Sequence, residues 1–255
     1  MSNDSIGKTL TVAFLLCVVC SIVVSTAAVG LKPLQDANKE LDKKQNILAA
    51  ASLLKEGVSV DEAFESIEIK YVDLDSGAYV DGPANFNQKK AAKEPSTSIA
   101  LDGQQDIAQI KRRSNIAEIY LAKNEQGVVD TIILPVHGYG LWSTLYGFLA
   151  LQADANTVVG LGFYQHAETP GLGGEVDNPK WKSQWPGKRV FDEQGAPATT
   201  MFKGVVTKET PGGEHKFDAL SGATITGRGV ENLVNFWVGD LGFGPYLKRI
   251  QAEGV

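Results

Sequence analysis

Residues 9–31 contain no charged side chain and are mostly Leu, Val, Ile, Ala, Phe and Cys. This run constrains the fold more than any other part of the chain, because a helix built from it has no polar face to turn to water. Such a helix would rise about 34 Å at ~1.5 Å per residue, enough to cross a hydrocarbon layer of ~30 Å. The sequence therefore predicts one membrane span. A cleaved leader is the competing reading, since Lys8 precedes the run and Ser25, Thr26 and Ala27 are small. The run exceeds the roughly 7–15 residues of a leader's apolar core, which favours an anchor. Cys17 and Cys20 fall inside it and read as small apolar side chains. Lys32, Lys39, Lys43 and Lys44 follow the span and only Lys8 precedes it. Counting these charges alone would leave the C-terminal part in the cytoplasm, although large domains translocate largely regardless of charge.

With 255 residues and 43% hydrophobic content, the remainder can bury one sizeable core. A net charge of -6 argues against a nucleic-acid partner. The one basic cluster, Lys111-Arg112-Arg113, reads as a solvated helix end or loop. His137, His166 and His215 lack the spacing and neighbours of a zinc site, so no metal is expected. There is no GxSxG turn, and Ser143 near His137 has no identifiable orienting carboxylate. Chemistry in this domain would come from a cofactor.

Residues 37–55 carry an apolar stripe of helical spacing that Gly57 ends. Ser59 and Glu62 form a capping-box pattern before a short helix over 61–66, and a strand follows from Ile67 to Val72. Residues 81–95 are polar and rich in turn formers, and mark a boundary between a membrane-proximal region (32–95) and a main body (96–255). Residues 116–122 and 128–136 flank Asn124-Glu125-Gln126-Gly127 as a hairpin. Residues 158–163 and 202–207 are further strands. "HGYGLWSTLYG" (137–147) and "AETPGLGGEVDNPKW" (167–181) look too irregular for simple connectors, and long loops of this kind are usually functional. The fold class expected is α+β: a cytoplasmic N-terminus (1–8), a transmembrane helix (9–31), then one extracytoplasmic domain.

The most informative stretch is "LSGATITGRG" (220–229). Val230, Leu233, Val234 and Trp237 behind it share one helical face, so a helix starts near residues 221–224 with Thr226 in or near its first turn. A helix start presents unbonded N–H groups and the positive end of the dipole, both of which favour a phosphate. Gly222, Ala223 and Gly227 would leave the Thr226 hydroxyl accessible, and Arg228 could add a counter-charge. On composition alone, Ser221 or Thr224 capping an ordinary helix explains the same residues.

Ser221-Gly222-Ala223-Thr224-Ile225-Thr226 matches a flavinylation motif, Asp/Ser-Gly-Ala-Ser/Thr-x-Thr. Together with the N-terminal span, "GYGLWSTLYG" (138–147), "AETPGLGGE" (167–175) and "KWKSQWPGK" (180–188), it makes the chain resemble the C subunits of the Na⁺-translocating NADH:quinone reductases over nearly its full length. The sister family, the G subunits of the Rnf electron-transport complexes, shares the span, the Glu-Thr-Pro-Gly-Leu-Gly stretch and the motif. Its chains are generally shorter and lack the tryptophan-rich insert. The resemblance implies FMN joined by a phosphoester to Thr226, placed there by a flavin transferase. It also implies an electron-relay role among the other subunits of the complex, in a bacterial inner membrane with the domain in the periplasm. The alternative is a membrane-anchored flavin reductase or an Rnf-type subunit with the same attachment. Glu168, Thr169, Gly171, Leu172 and Gly173 are expected to line the flavin through close backbone approach and an apolar side chain. Trp142 and Ser143 are expected to form a second wall. Trp181 and Trp185 are expected to serve structure or contact between subunits, and His166 and His215 to be surface or capping residues.

Overall fold

The computed structural model describes residues 5–255, so the start of the expected cytoplasmic N-terminus lies outside the described residues. The chain divides into two compact units, one ending at Lys43 and the other running from Lys44 to Val255.

Helix α1 (Ile6–Ala50) joins what the sequence suggests are two helices, and Pro33 sits inside it. Proline removes one backbone N–H but its fixed φ is helical, so the turns on either side carry the helix past it. The helix is long and apolar enough to cross a membrane by length and composition. It stops at Ala50, short of the expected residue 55. Ser52 turns left-handed (φ 58°), the Leu53 N–H donates to the Leu48 carbonyl (2.8 Å) and the Ser52 N–H to that of Ala49 (3.1 Å). This is the two-bond closure usually built on glycine. A serine fills the left-handed position here, which is why a glycine-based reading places the stop too late.

Helix α2 (Val60–Phe64) starts where the capping pattern put it, with Ser59 Oγ accepting from the Glu62 N–H at 3.3 Å. There follow β1 (Ile67–Asp73), β2 (Tyr79–Val80), α3 (Gln88–Ala91), β3 (Ser98–Ala100), β4 (Arg112–Ser114), β5 (Ile116–Lys123), β6 (Val129–Tyr139), β7 (Thr144–Gln152) and β8 (Val158–Gln165). The chain ends with α4 (Pro179–Lys182), β9 (Thr200–Phe202), β10 (Lys216–Asp218), α5 (Thr224–Val238) and α6 (Gly244–Glu253). A six-stranded antiparallel sheet runs β2-β1-β5-β6-β7-β8, and β9 pairs with β10 in parallel. The α+β class holds.

Residues along a strand alternate between faces, and here both faces are covered. Ile132, Leu134 and Val136 of β6 point to the main core with Leu145, Leu149 and Leu151 of β7, under Val230, Leu233, Val234 and Trp237 of α5. Ile133, Phe148 and Ala150 point the other way, against Ile47, Ala50 and Ala51 at the end of α1. The indole N–H of Trp237 donates to the His137 carbonyl at 2.7 Å and ties α5 to β6.

Four expectations change. Most of "HGYGLWSTLYG" is strand: β6 extends to Tyr139 and β7 begins at Thr144, leaving a tight turn over 140–143. Of the strand expected at 202–207 only Phe202 is strand, at the end of β9, which pairs over three residues with β10. The boundary expected near residue 95 falls within one compact unit, since β1 pairs along its whole length with β5. Arg113 is fully buried rather than solvated: it donates to Asp75 at 2.6 Å and to the Leu241 carbonyl at 3.1 Å. Trp181 and Trp185 sit in the core, with Trp185 stacked on Phe217 at 4.8 Å between ring centroids.

The His137 ring packs against Tyr146 (5.4 Å) and Trp237 (4.9 Å). Burial first, and the Lys89 ammonium second, hold its imidazole down to about 4. The unfolded chain takes up this proton below about pH 6.5 and the folded chain does not, so stability falls as pH drops through that window. In detergent, the thermal midpoint of His137→Gln should fall less than that of the wild type between about pH 7 and about pH 5.

Candidate functional site

Helix α5 begins at Thr224 with Ala223 as N-cap and no side-chain cap, so neither Ser221 nor Thr224 acts as the expected capping residue. The amide groups of the first turn are left without a side-chain acceptor, an arrangement that favours an anion. Ser221, Gly222 and Thr224 are exposed, and Ala223 is buried.

Thr226 differs from the expectation of an accessible hydroxyl. Its exposure is 0%, and Oγ1 donates to Glu168 Oε2 at 2.6 Å. The carboxylate of Glu168, itself 5% exposed, also accepts from the backbone N–H groups of Leu141 (3.1 and 3.2 Å), Trp142 (2.9 Å) and Ser143 (3.1 Å). Ser143 Oγ stands 3.4 Å from Oε1 and accepts from the Ala167 N–H at 2.7 Å. Burial alone would push the Glu168 carboxyl up. The bonds from Thr226, Trp142, Leu141 and Ser143 outweigh it and hold the group below the ordinary carboxylate range. One side chain thus joins three separate pieces of chain: the β6–β7 turn, the loop after β8 and the first turn of α5.

The loop after β8 lies over Thr226. Gly171 turns it at a φ of 75°, and the Thr169 carbonyl accepts from Leu172 (3.1 Å) and Gly174 (2.9 Å). Gly173 permits its closest approach: a Cβ there would stand 2.6 Å from Thr226 Oγ1 and 2.8 Å from Glu168 Oε2. The Leu172 side chain packs at Gly222 but is 44% exposed, and Trp142 is 65% exposed. At the base of the loop, His166 Nε2 pairs with Asp177 at 2.7 Å, and His166 Nδ1 accepts from the Glu168 N–H at 3.2 Å. His215 meets the Arg189 carbonyl through Nδ1 at 2.9 Å.

The structure therefore gathers Glu168, Gly173, Trp142, Ser143 and Thr226 around one carboxylate. Arg228 is not brought to the hydroxyl: two residues on, it lies about 200° round the helix, and it is exposed. Sequence reasoning assigned the Glu168 stretch a backbone role and missed that its carboxylate organises the site. It also missed Leu141 and Ile225, exposed apolar side chains that flank the same turn and helix start. An acid beside Pro and three glycines was the available signal, since a carboxylate so placed is buried only where backbone donors meet it.

The site is an uncapped helix start beside a partly exposed apolar rim, on a sheet covered on both faces. Residues 140–239 match the family described as FMN-binding domain. Over the full length, the chain is 49% identical to the C subunit of the Na(+)-translocating NADH-quinone reductase of Yersinia pestis (100% of this chain, 96% of the relative). It is 50% identical to that of Pseudomonas aeruginosa (98% of each). The crystal structure of Shewanella oneidensis NqrC superposes with a TM-score of 0.79 at 35% identity, covering 85% of this chain and all of the other. The chain belongs to the NqrC family, the C subunits of the Na(+)-translocating NADH-quinone reductases.

Replacing Gly173 by alanine would force its Cβ against the Thr226 hydroxyl and the Glu168 carboxylate. Overpacking of this kind costs about 1–3 kcal/mol, so Gly173→Ala should lower the unfolding free energy of the flavin-free chain by that order in a denaturant titration.

Proposed function

We propose that this chain is the electron-relay subunit of a Na⁺-translocating NADH-quinone reductase and carries one FMN joined through its phosphate to Thr226. The observation that carries the attachment is the position of that hydroxyl: the third residue of an uncapped helix, inside the FMN-binding match, beneath a glycine-rich loop.

The residues suit the group chemically. Free amide groups in the first turn of α5 would hold a phosphate. Trp142 and Leu172, exposed beside the turn and the loop, are apolar surfaces for a planar ring, with Leu141 and Ile225 next to them. Glycines 171, 173 and 174 leave backbone within reach of a polar ring edge. Ser143 and Thr169 are spent on holding the loop and turn in place, through the Ala167, Leu172 and Gly174 amides. Bound FMN supplies reversible uptake and release of electrons. Attachment requires residues 168–174 to swing away, since Thr226 is covered in the closed arrangement, and local opening of such a loop is inexpensive compared with unfolding the sheet beneath it.

The chain has no GxGxxG following a strand, so NADH and quinone bind on other subunits. A single span offers no buried carboxylates for a sodium path, which places ion movement in the partners as well. Helix α1 anchors the subunit in the bacterial inner membrane, and a flavin transferase acting in the periplasm matures it. The domain then faces the periplasm despite the lysines after the span, because a folded unit of this size is translocated irrespective of a short-loop charge count.

Co-expression with a flavin transferase should raise the intact mass by about 438 Da, FMN less one water, and leave a fluorescent band after denaturation. Thr226→Val should show neither; retained flavin in that variant would move the attachment to another residue. Protease added to sealed inside-out vesicles should leave the domain intact, and its digestion there would place the domain in the cytoplasm.

A further inference from the structure

Glu168 is the one buried carboxylate in the site, and its bonding has a chemical consequence. In the unmodified chain the carboxylate fills a concave nest of three successive amide groups, those of Leu141, Trp142 and Ser143. Nests of this form bind anions generally, phosphate groups included. The Ser143 hydroxyl adds a longer bond at 3.4 Å, and the shortest bond to Glu168 comes from the Thr226 hydroxyl, at 2.6 Å. That separation depends on the proton between the two oxygens, since two oxygens without one repel at this distance.

We propose that Glu168 is a positioning residue that acts as a built-in anion. It holds the 141–143 amides and the Thr226 hydroxyl in place before modification, and it is displaced when Thr226 takes a phosphoryl group. The second half rests on the attachment proposed above. In that step the Thr226 Oγ1–phosphorus bond forms and a phosphorus–oxygen bond of an activated flavin nucleotide breaks. The leaving group departs with the electrons of that bond, and the hydroxyl proton goes to solvent or to the transferase. No centre is oxidised or reduced. The ester oxygen has no proton to donate, and the phosphodiester brings a negative charge next to the carboxylate. Both effects act against the Glu168–Thr226 contact. With Glu168 displaced, the nest would be open to the new anion as its acceptor.

The carboxylate also gives the turn amides an acceptor before any cofactor arrives. Three amides pointing into one volume would be unsatisfied without an acceptor, and buried amides left so are costly. Glu168 keeps that volume filled and the hydroxyl aimed, while the Ala167 amide on Ser143 Oγ and the His166–Asp177 pair fix the loop from which the carboxylate reaches in.

The test uses the full chain in detergent, prepared without flavin transferase, and Glu168→Ala with formate or inorganic phosphate as probe. Glu168→Ala should have a lower thermal midpoint than wild type. Millimolar formate or phosphate should raise that midpoint saturably, while leaving wild type and Glu168→Gln unmoved. A response in Glu168→Ala no larger than in wild type overturns the built-in anion. Should Glu168→Ala not fold, Glu168→Gln carries the test through hydrogen exchange. Its amide donates toward Thr226 and binds the nest without charge, so the peptide spanning 139–145 should exchange about tenfold faster than in wild type, with the β5–β6 hairpin unchanged. Equal exchange overturns the proposal. Displacement is read separately, by comparing exchange at 139–145 and 166–175 before and after flavin attachment: a change at both supports it, and identical exchange overturns it. Intact mass shows independently whether Thr226 carries flavin, so failure of the attachment and failure of the Glu168 role remain distinguishable.

Discussion

A carboxylate removed from water must be met by donors, and those that meet Glu168 come from the β6–β7 turn and from α5, far from it in sequence. The site's geometry follows from that requirement. The β6–β7 turn, the loop after β8 and the start of α5 are joined through this carboxylate. The turn amides and the Thr226 hydroxyl both find their partner only when the loop brings Glu168 into position. Because charge-assisted bonds of this kind are directional, the arrangement is specified more sharply than packing alone would specify it.

The sheet beneath supplies the stiffness on which this depends. Apolar side chains on both faces fix the register of β6 and β7, since a slip of one residue would exchange the two faces. The turn at 140–143 is thereby held at the end of a nine-residue antiparallel ladder from Thr131 to Tyr139. Trp237, bonded to the His137 carbonyl, sets α5 on the same strand. The two ends of the Glu168 network, turn and helix start, are therefore both referred to β6.

Much of this was legible in the sequence wherever one signal dominated. The uncharged run of α1, the Ser59 cap, the Asn124–Gly127 hairpin and the α5 apolar face each rest on a local period or a turn signature. What was not legible depends on distant partners. Residues 137–147 contain enough glycine to imitate a loop, and only the pairing of β6 with β7 and of β7 with β8 makes most of them strand. Arg113 looks like one of three solvated cations until Asp75 and the Leu241 carbonyl meet it. Ser52 ends α1 in a conformation usually left to glycine, stabilised by carbonyls already present in the helix. Glu168 belongs to the same group: its neighbours in sequence announce a turn, while its donors are 25 to 58 residues away.

The motif at 221–226 was recognisable for a reason that is partly structural. The residue at 229 sits where α5 crosses the β6–β7 turn, and a Cβ there would stand 2.5 Å from the Tyr139 carbonyl oxygen, so only glycine lets the helix settle against the strand. That contact brings the first turn of α5 down to Glu168, and Thr226 faces inward as a result. Thr226 and the glycine three residues beyond it therefore meet two demands together, a hydroxyl presented to a carboxylate and close helix–strand contact. Composition alone shows the small residues and suggests an open site. The fold shows that the same smallness closes the site, with Thr226 covered by Gly173 and bonded to Glu168.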